Sequence, residues 1–537
     1  MKLICIALFS LSIASLSSFA MAIRPSVKDA LPNVVIIMAD DLGYSDLGSY
    51  GGELRTPNID QLAMEGVRFT QFTNTGRCCP SRVALLTGRN QHSVGMGWMT
   101  AVDEHREGYR GQLTSVVPTI AEIFKVNGYS TYMSGKWHVS IDGNYKDVDV
   151  LLPNGSWPTE RGFDQFYGGL TGGGPYSSVS SLLRNETHIK EFADDYYYTT
   201  EITKHALEFV DMHDSEDPFF LYLAHYAPHR PMEAPEERIA TYRDQYRVGY
   251  DLLREARFER MQALGILEAD AVLPLHAVDF GGEWPAWKSL TQEQQEAWVE
   301  EMATYAAMVE IMDDGIGEVI DALKEKGMYE DTLIFFLSDN GATFEGGDAS
   351  TWAAALSNTP FRQYKQFTHF GGIKSPLIIH YPKRYSKMAG SLNHNFSHII
   401  DVLPTSIDIA GLGYPETFAG REIGEPDGVT LVPAMEGDLL DERDLFFEHQ
   451  TASAVISSGW KLVRKQLNDP WELYDLSVDP FEQTDLAAAR TKKATLLEKK
   501  WMDWAAANSV LPLETRPWRA RVKHYKALYP DQDGIDE

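Results

Sequence analysis

Three continuous apolar runs constrain the fold of this chain more than any other sequence feature. They cover Asn33–Ala39, 219–223 and 332–337, and none shows the alternation of a half-exposed strand. Continuous apolar sequence of this length is typical of strands that are buried on both faces, as in a parallel sheet. Residues 129–133 predict a further strand after a helix at 117–126. The sequence therefore predicts an α/β protein.

Charged or coordinating side chains follow each of these predicted strands. In open α/β sheets, ligands bind at the carboxyl ends of the strands. Taken alone, an aspartate pair after a strand is either a metal site or a helix cap with its neighbour, and a lone histidine is more often structural than catalytic. Repetition at strand after strand favours a functional site. The side chains are Asp40, Asp41, Lys136, His138, His229, Asp339 and Asn340.

The stretch from Cys78 to Arg89 predicts a nucleophile at the start of a helix. Pro80 suits the first helical position and Gly88 suits the end of the helix. Cys78 would then precede the first turn, where unpaired N–H groups and the helix dipole favour an anion. Arg82 follows about one turn later and can bind the same anion through two donors. The alternative is a buried cysteine pair that opens an ordinary core helix.

Charge and composition limit the classes of partner. The chain has 537 residues, too many for one ordinary core, so we expect a large α/β domain and a smaller one. Its formal net charge of -29 argues against nucleic acid, because phosphate binding requires a basic surface. An anionic small-molecule substrate would need a local group of cationic side chains, or a metal, within this negative field.

Residues 1–22 predict a secretory signal peptide. Lys2 supplies the positive end, the apolar run after it is too short to span a membrane, and residues 20–22 form a small-residue cleavage site. We therefore expect a periplasmic or secreted protein without a membrane span. Cys5 leaves with the signal, so Cys78 and Cys79 are the cysteines of the mature chain. Neighbouring cysteines are poor disulfide partners, which indicates a chemical role for at least one of them.

The chain divides by composition into residues 30–430 and 440–537. Residues 231–298 are rich in Glu, Arg and Gln and predict an insertion of surface helices. A long amphipathic helix is predicted over 302–323. After residue 440, short runs separated by turn residues predict a small antiparallel sheet, with a helix over 487–505 packed on it.

Four of the strand-end residues carry hard oxygen donors. Such a set suits Ca²⁺ or Mg²⁺ rather than zinc or copper, and the number of carboxylates favours calcium. No cysteine or histidine cluster has the spacing of a zinc site. The four predicted ligands are Asp40, Asp41, Asp339 and Asn340.

The sequence Cys78-x-Pro80-Ser81-Arg82, followed by Leu-Thr-Gly-Arg, resembles the signature of the type I sulfatases, which depend on formylglycine. Further matches cover nearly the whole mature chain and are most similar to the bacterial arylsulfatase branch. They are Gly135-Lys136-Trp137-His138, Ala227-Pro228-His229, Lys365 before Gly371-Gly372, residues 91–97 and Leu473-Tyr474-Asp475-Leu476. The resemblance implies an alkaline-phosphatase-like fold, with a large mixed sheet sandwiched by helices and a small C-terminal antiparallel sheet plus helix.

The resemblance implies a modified nucleophile. In the family, a maturation system oxidises the first cysteine of the signature to formylglycine (3-oxoalanine), and the hydrated aldehyde attacks sulfur. By the match this residue is Cys78. It would also complete the shell of a metal, usually calcium, held by Asp40, Asp41, Asp339 and Asn340.

The resemblance also implies roles for the cationic residues. Arg82, Lys136 and Lys365 would stabilise the sulfate oxygens. His229 would protonate the leaving oxygen, and His138 would take the proton of the second hydroxyl so that sulfate leaves the covalent sulfo-enzyme intermediate. The implied activity is hydrolysis of small-molecule sulfate monoesters, aryl sulfates first, to an alcohol or phenol and inorganic sulfate. The alternatives are a phosphonate monoester or phosphodiester hydrolase with the same site, and an inactive secreted binding protein.

Overall fold

A sheet with parallel central strands organises the fold, as the apolar runs predict. The computed structural model describes residues 31–141, 153–213, 216–275 and 285–532, so the predicted signal peptide lies outside the described residues. In chain order the strands are β1 (Asn33–Ala39), β2 (Val67–Phe69), β3 (Phe72–Thr73), β4 (Ser130–Gly135), β5 (Gln165–Gly169), β6 (Leu182–Arg184), β7 (Thr187–His188), β8 (Phe219–Ala224), β9 (Thr332–Ser338), β10 (Leu377–His380), β11 (Ser391–Asn393), β12 (Ser397–His398), β13 (Thr417–Phe418), β14 (Arg421–Glu422), β15 (Leu445–His449), β16 (Ala452–Ser457), β17 (Trp460–Arg464) and β18 (Glu472–Asp475).

Helices cover the sheet and join its strands. In the same described residues they are α1 (Pro57–Glu65), α2 (Cys78–Thr87), α3 (Ile120–Val126), α4 (Tyr198–Met212), α5 (Glu236–Ala240), α6 (Arg243–Tyr246), α7 (Tyr250–Ala263), α8 (Gln292–Glu325), α9 (Asp348–Ser357), α10 (Phe370–Ile373), α11 (Pro382–Tyr385), α12 (Val402–Ile409), α13 (Val432–Met435), α14 (Thr491–Ala507) and α15 (Trp518–Leu528).

The large sheet is mixed, which confirms the predicted fold class. Its strand order is β11-β2-β10-β9-β1-β8-β4-β5-β6-β7. Neighbours β9, β1, β8, β4 and β5 are parallel, whereas β10 is antiparallel to both β9 and β2. The carboxyl ends of the parallel strands therefore lie at one edge of the sheet.

Both faces of the large sheet are buried. In β1, Val35 and Ile37 belong to one hydrophobic core, and Val34 and Ile36 belong to the core on the opposite face. Burial of one such side chain contributes about 1.5–3 kcal/mol relative to exposure. Two buried faces explain why the run is apolar without alternation.

The C-terminal segment forms the predicted small antiparallel sheet, in the order β15-β16-β17-β18. On one face, Phe447 and Ala454 join the core beneath the large sheet. On the other face, Val455 and Leu462 pack against Trp501 of α14. Helix α15 was not predicted. All of this belongs to one compact unit, Pro32–Glu537, and the boundaries at residues 430 and 440 stay predictions.

The segment at 231–298 differs from the predicted insertion of surface helices. Tyr246 of α6 and Tyr250 and Arg257 of α7 have 0% exposed side-chain surface. The prediction of a solvated segment is therefore wrong for one face of these helices. Because charged residues are abundant in this segment, the sequence did not indicate its apolar and ion-paired inner face.

No described helix is long and apolar enough to cross a membrane.

Candidate active site

The structure brings the polar ends of four parallel strands together. Backbone hydrogen bonds join them: Asp339 N donates to Ala39 O at 3.2 Å, and Lys136 N donates to Ala224 O at 2.8 Å. The loop after β8 also closes on β1, since Asp40 N donates to the carbonyl of Ala227. These main-chain bonds fix where each predicted site residue leaves the sheet.

Asp40 and Asp339 share one buried guanidinium. Arg82 Nη2 lies 2.9 Å from Asp339 Oδ2 and 3.3 Å from Asp40 Oδ2, and Arg82 Nη1 donates to the carbonyl of Lys136 at 2.8 Å. The ammonium of Lys136 contacts Asp40 Oδ2. Burial and the nearby Asp40 carboxylate raise the pKa of Asp339 well above its usual range, although Arg82 opposes the shift.

Asp41 binds the second lysine. Lys365 Nζ lies 2.8 Å from Asp41 Oδ1, and Asn340 Nδ2 donates to the same oxygen at 2.6 Å. Asp41 itself has a φ of 68°, a left-handed conformation that is uncommon for a residue with a Cβ. Lys374, which is closer to Gly371-Gly372, contacts Gln71 instead at 2.5 Å. The structure therefore places Lys365 among the predicted site residues through its contact with Asp41, and its catalytic role stays a prediction.

Two buried oxygens of this group remain without a partner. Among the described residues, Asp40 Oδ1 and Asn340 Oδ1 accept no hydrogen bond. A buried acceptor without a donor is costly, and oxygens in such a position are natural ligands for a hard cation. Ligand atoms of Asp40, Asp41 and His229 all lie within 4.8 Å of one another, close enough for one ion. The residues present therefore fit the predicted calcium site.

Both cysteines lie in the first turn of α2, which begins two residues earlier than the sequence indicated. The helix begins at Cys78 itself with Arg77 as the N-cap, so Pro80 is the third helical residue and the predicted first position is wrong. Both thiols are buried and form no disulfide. A hydrogen bond from Cys79 and the charges of nearby cations, Lys136 first among them, lower the pKa of Cys78 well below its usual range.

His138 lies directly beside the cysteines. Its Nε2 is 3.1 Å from Cys79 Sγ, and the ligand atoms of Cys78, Cys79 and His138 lie within 4.8 Å of one another. A Cβ at Gly172 would lie 1.9 Å from the imidazole, so only glycine fits against this ring. Burial lowers the pKa of His138 to about 4, so the ring is neutral at neutral pH and can accept a proton.

His229 faces the opposite side of the site. Its Nδ1 lies 2.5 Å from the carbonyl of Arg230, which can only accept, so Nδ1 carries the hydrogen. Its Nε2 lies 3.8 Å from Asp41 Oδ2. Burial, followed by the charges of Lys136 and Lys365, lowers the pKa of His229.

Sequence reasoning missed an ion pair at this site. Arg77 Nη1 lies 2.8 Å from Glu345 Oε1, and Lys365 Nζ lies 3.5 Å from Glu345 Oε2. Arg77 directly precedes Cys78 in the sequence, and this position could have indicated that Arg77 lies at the site. Glu345 gave no signal because it lies in a loop after β9.

Three carboxylates and three cationic side chains thus meet at one edge of the sheet, in contact and almost wholly buried. A helix start with a low-pKa thiol lies among them. Fold and site together define a hydrolase of the alkaline-phosphatase-like class.

Comparison with known proteins gives the family. The sulfatase family model matches residues 32–412, and a model described as N-sulphoglucosamine sulphohydrolase, C-terminal, matches residues 362–503. The chain belongs to the sulfatase family, whose members are sulfuric ester hydrolases.

Individual relatives cover most of the chain. An arylsulfatase of Klebsiella aerogenes is 33% identical over 442 residues, which are 74% of this chain and 91% of that protein. An uncharacterized sulfatase of Schizosaccharomyces pombe is 31% identical over 91% of this chain and 96% of its own length. The structure of Ps i-CgsB in complex with k-i-k-neocarrahexaose has a TM-score of 0.66 and 25% identity, covering 94% of this chain and 99% of that one.

Proposed function

We propose that this enzyme hydrolyses sulfate monoesters, aryl sulfates among them, with a nucleophile made from Cys78. The observation that carries the proposal is the position of Cys78 at the first turn of α2, where a hydrogen bond from Cys79 and the charges of nearby cationic side chains lower its thiol pKa. The sulfur marks the place of the oxygens of a formylglycine hydrate, which would supply the attacking hydroxyl.

Charge balance supports an anionic substrate. Asp40, Asp41 and Asp339 pair with the cationic side chains of the site, so the protein groups alone are nearly neutral. A divalent cation held by these aspartates and Asn340 would add positive charge and polarise oxygens in the site. Arg82, Lys136 and Lys365 would then be available to bind sulfate oxygens.

The two histidines suit opposite proton transfers. Neutral His138 lies beside Cys78 and can take a proton from a hydroxyl at that position. The Nδ1–H of His229 donates to the backbone carbonyl of Arg230. Its Nε2 must therefore be protonated before it can donate to the leaving oxygen. Burial and the charges of Lys136 and Lys365 lower the pKa of His229, and the carboxylates of Asp40 and Asp41 oppose this shift towards the neutral form.

Peptide mass spectrometry around residue 78 tests the nucleophile. We expect an aldehyde in place of the Cys78 thiol in active protein produced with a maturation system. Cys78→Ala should lose nearly all activity, while Cys79→Ser should keep most of it because serine can still form a hydrogen bond with His138. An active Cys78→Ala together with an inactive Cys79→Ser would overturn the assignment.

Elemental analysis tests the metal. The chelator-washed protein should lose activity and regain it with calcium, with one ion per chain. Stoichiometric zinc, or full activity without any metal, would contradict the calcium site.

Phosphonate monoesters and phosphodiesters remain the alternative substrates, because the same cations can bind them. kcat/KM for an aryl sulfate, an alkyl sulfate and a phosphonate monoester, measured on one preparation, decides between them. A much better rate on the phosphonate would favour the alternative.

A second candidate for the leaving group is a carbohydrate. A cleft of about 330 Å³ is lined by Trp98, Gln366, Gln450, Asn468, Arg516 and Trp518, among others. Two of its lining residues are next in sequence to residues at the site: Gln366 follows Lys365, and Trp98 precedes Met99, whose Sδ lies 3.7 Å from Cys79 Sγ. Aromatic faces with carboxamide groups suit a hydroxylated ring, and the relative bound to a neocarrahexaose is in keeping with this. Gln366→Ala and Trp518→Ala should then reduce kcat/KM for a sulfated sugar more than for an aryl sulfate.

We also propose export from the cytoplasm with removal of residues 1–22. Sequencing the amino terminus of the mature protein from the periplasm or medium tests this. A protein that retains residue 1 would contradict it.

A further inference from the structure

The loop that carries Asp41 is held in an unfavourable backbone conformation. The φ of Asp41 is 68°, and for a residue with a Cβ such a conformation is unfavourable and persists only where the surroundings determine it. The predicted ligand therefore depends on contacts that hold the loop at residues 41–46 in place. These contacts come from two helices that sequence reasoning did not connect with the site.

The first support is Tyr305 of α8. Its hydroxyl lies 2.6 Å from Asp46 Oδ2 and 3.2 Å from the carbonyl of Asp41. Asp46 Oδ2 also accepts a hydrogen bond from Gly43 N at 2.8 Å. Asp46 Oδ2 therefore links Gly43, in the middle of the loop, to the Tyr305 hydroxyl that contacts Asp41.

The second support is Arg257 of α7, which has 0% exposed surface. Its Nη1 lies 2.7 Å from Asp46 Oδ1 and 3.2 Å from Ser45 Oγ. Its Nε and Nη2 each lie 2.7 Å from an oxygen of Glu53. The guanidinium therefore contacts the remaining oxygen of Asp46 and links it to the partly buried carboxylate of Glu53.

We propose that Asp46, Arg257 and Tyr305 are positioning residues for the divalent metal, acting through the backbone of Asp41. This rests on the metal site of the proposed function. A guanidinium and a carboxylate buried behind a ligand loop cost desolvation energy, and hydrophobic residues of similar volume would often stabilise the fold as well. These residues instead fix the position of Asp41, since residues that hold a metal ligand in place commonly determine the affinity for the metal.

The chain offers a matched control in Arg161. This arginine is 2% exposed and binds Glu122 Oε2 at 3.1 Å and the carbonyl of Val117 at 3.0 Å. None of its hydrogen bonds in the described part of the chain reaches a site residue. Removal of its guanidinium should destabilise the fold without moving Asp41.

Calcium titration calorimetry on chelator-treated full chain tests the proposal without using activity. Arg257→Gln should raise the Kd for Ca²⁺ by about 10-fold to 100-fold, and Arg257→Lys should recover part of that loss. Tyr305→Phe, which removes one hydroxyl and leaves the ring packed, should raise the Kd by a smaller factor. Arg161→Gln should lower the Tm and leave the Kd unchanged.

Two results would overturn the positioning role. One is a wild-type Kd in both Tyr305→Phe and whichever Arg257 variant folds. The other is an equal loss of calcium affinity in Arg161→Gln, which would mean that affinity only follows global stability. If wild-type protein binds no divalent metal, the metal site itself fails and the positioning role fails with it, and this outcome is distinguishable because no variant is needed to observe it.

Discussion

The strand-end site and a second cluster of buried charge, around Glu482, differ in how completely their polar groups are paired. At the second cluster, Glu482 Oε1 lies 2.6 Å from Lys461 Nζ and Oε2 accepts the Phe370 N–H at 2.9 Å. At the strand-end site, Asp40 Oδ1 and Asn340 Oδ1 accept nothing among the described residues. Both clusters are buried and ionic. Glu482 Oε1 also lacks a hydrogen bond among the described residues, but it lies in an ion pair with Lys461.

Backbone conformation does not distinguish the two clusters. Glu482 has a φ of 58°, close to the 68° of Asp41 and the 54° of His138. The Glu482 cluster connects the small sheet to α10, and its charged groups pair with one another at that junction. Burial, charge and a left-handed residue therefore do not by themselves distinguish a ligand site from a structural cluster.

The largest effect is expected from Arg82→Lys at the strand-end site. Lysine keeps the charge but cannot bind Asp40, Asp339 and a sulfate oxygen from one planar group. We expect kcat/KM for an aryl sulfate to fall by about 10²-fold to 10³-fold, the range found when one stabilising donor is removed. Circular dichroism checks that the variant is folded. A loss below tenfold would show that the guanidinium only balances charge, as in the second cluster.

A double variant at the second cluster should affect stability and leave catalysis intact. Lys461→Met alone leaves the Glu482 carboxylate buried without its cation and should cost about 3–5 kcal/mol in the free energy of unfolding. Lys461→Met with Glu482→Gln should recover most of that loss. Denaturant unfolding measures both variants. If kcat per folded molecule falls in the double variant, the second cluster is more than a junction.

His229→Ala tests whether His229, at the strand-end site, acts as the general acid. An aryl leaving group needs little protonation, so its kcat/KM should fall less than that of a matched alkyl sulfate, for which we expect a loss of about 10²-fold. Steady-state kinetics on the pair gives the ratio. Equal losses on both sulfates would exclude His229 as the general acid.

The smallest effect, taken per pH unit, is a pH dependence of stability at the second cluster. Burial, followed by the charge of Lys461, lowers the pKa of Lys374 to about 7. Between about pH 7 and pH 10 the unfolded chain, with ordinary lysine pKa values, binds more protons than the folded one, so the free energy of unfolding should rise with pH, by at most about 1.4 kcal/mol per pH unit for one lysine.

Denaturant midpoints across that pH range measure the slope. Lys374→Met should reduce the slope but not abolish it, because burial also lowers the pKa of Lys461 to about 8, whereas Lys499→Met, which removes an exposed lysine, should leave it unchanged. The same slope in wild type and Lys374→Met would show that Lys374 does not titrate in this window.

The sequence by itself determined the sheet, the strand-end residues and the position of Cys78, because those features are local. An apolar run without alternation specifies two buried faces, and parallel strands bring their carboxyl ends to one edge. It also indicated Lys365, through the resemblance to the sulfatases. It placed Pro80 two residues wrongly, since proline is tolerated throughout the first turn of a helix.

Only the tertiary structure decided which groups meet and which stay unpaired. Arg257 lies in a charge-rich segment whose sequence predicts an exposed surface. It is nevertheless buried against Asp46 and Glu53, which are more than 200 positions away in sequence. Whether Asp40 Oδ1 finds a donor depends on every neighbour in space, and spacing along a chain carries no such information. Contacts between distant segments form when the chain folds around its core, and the ligand-binding property of this site arises from them.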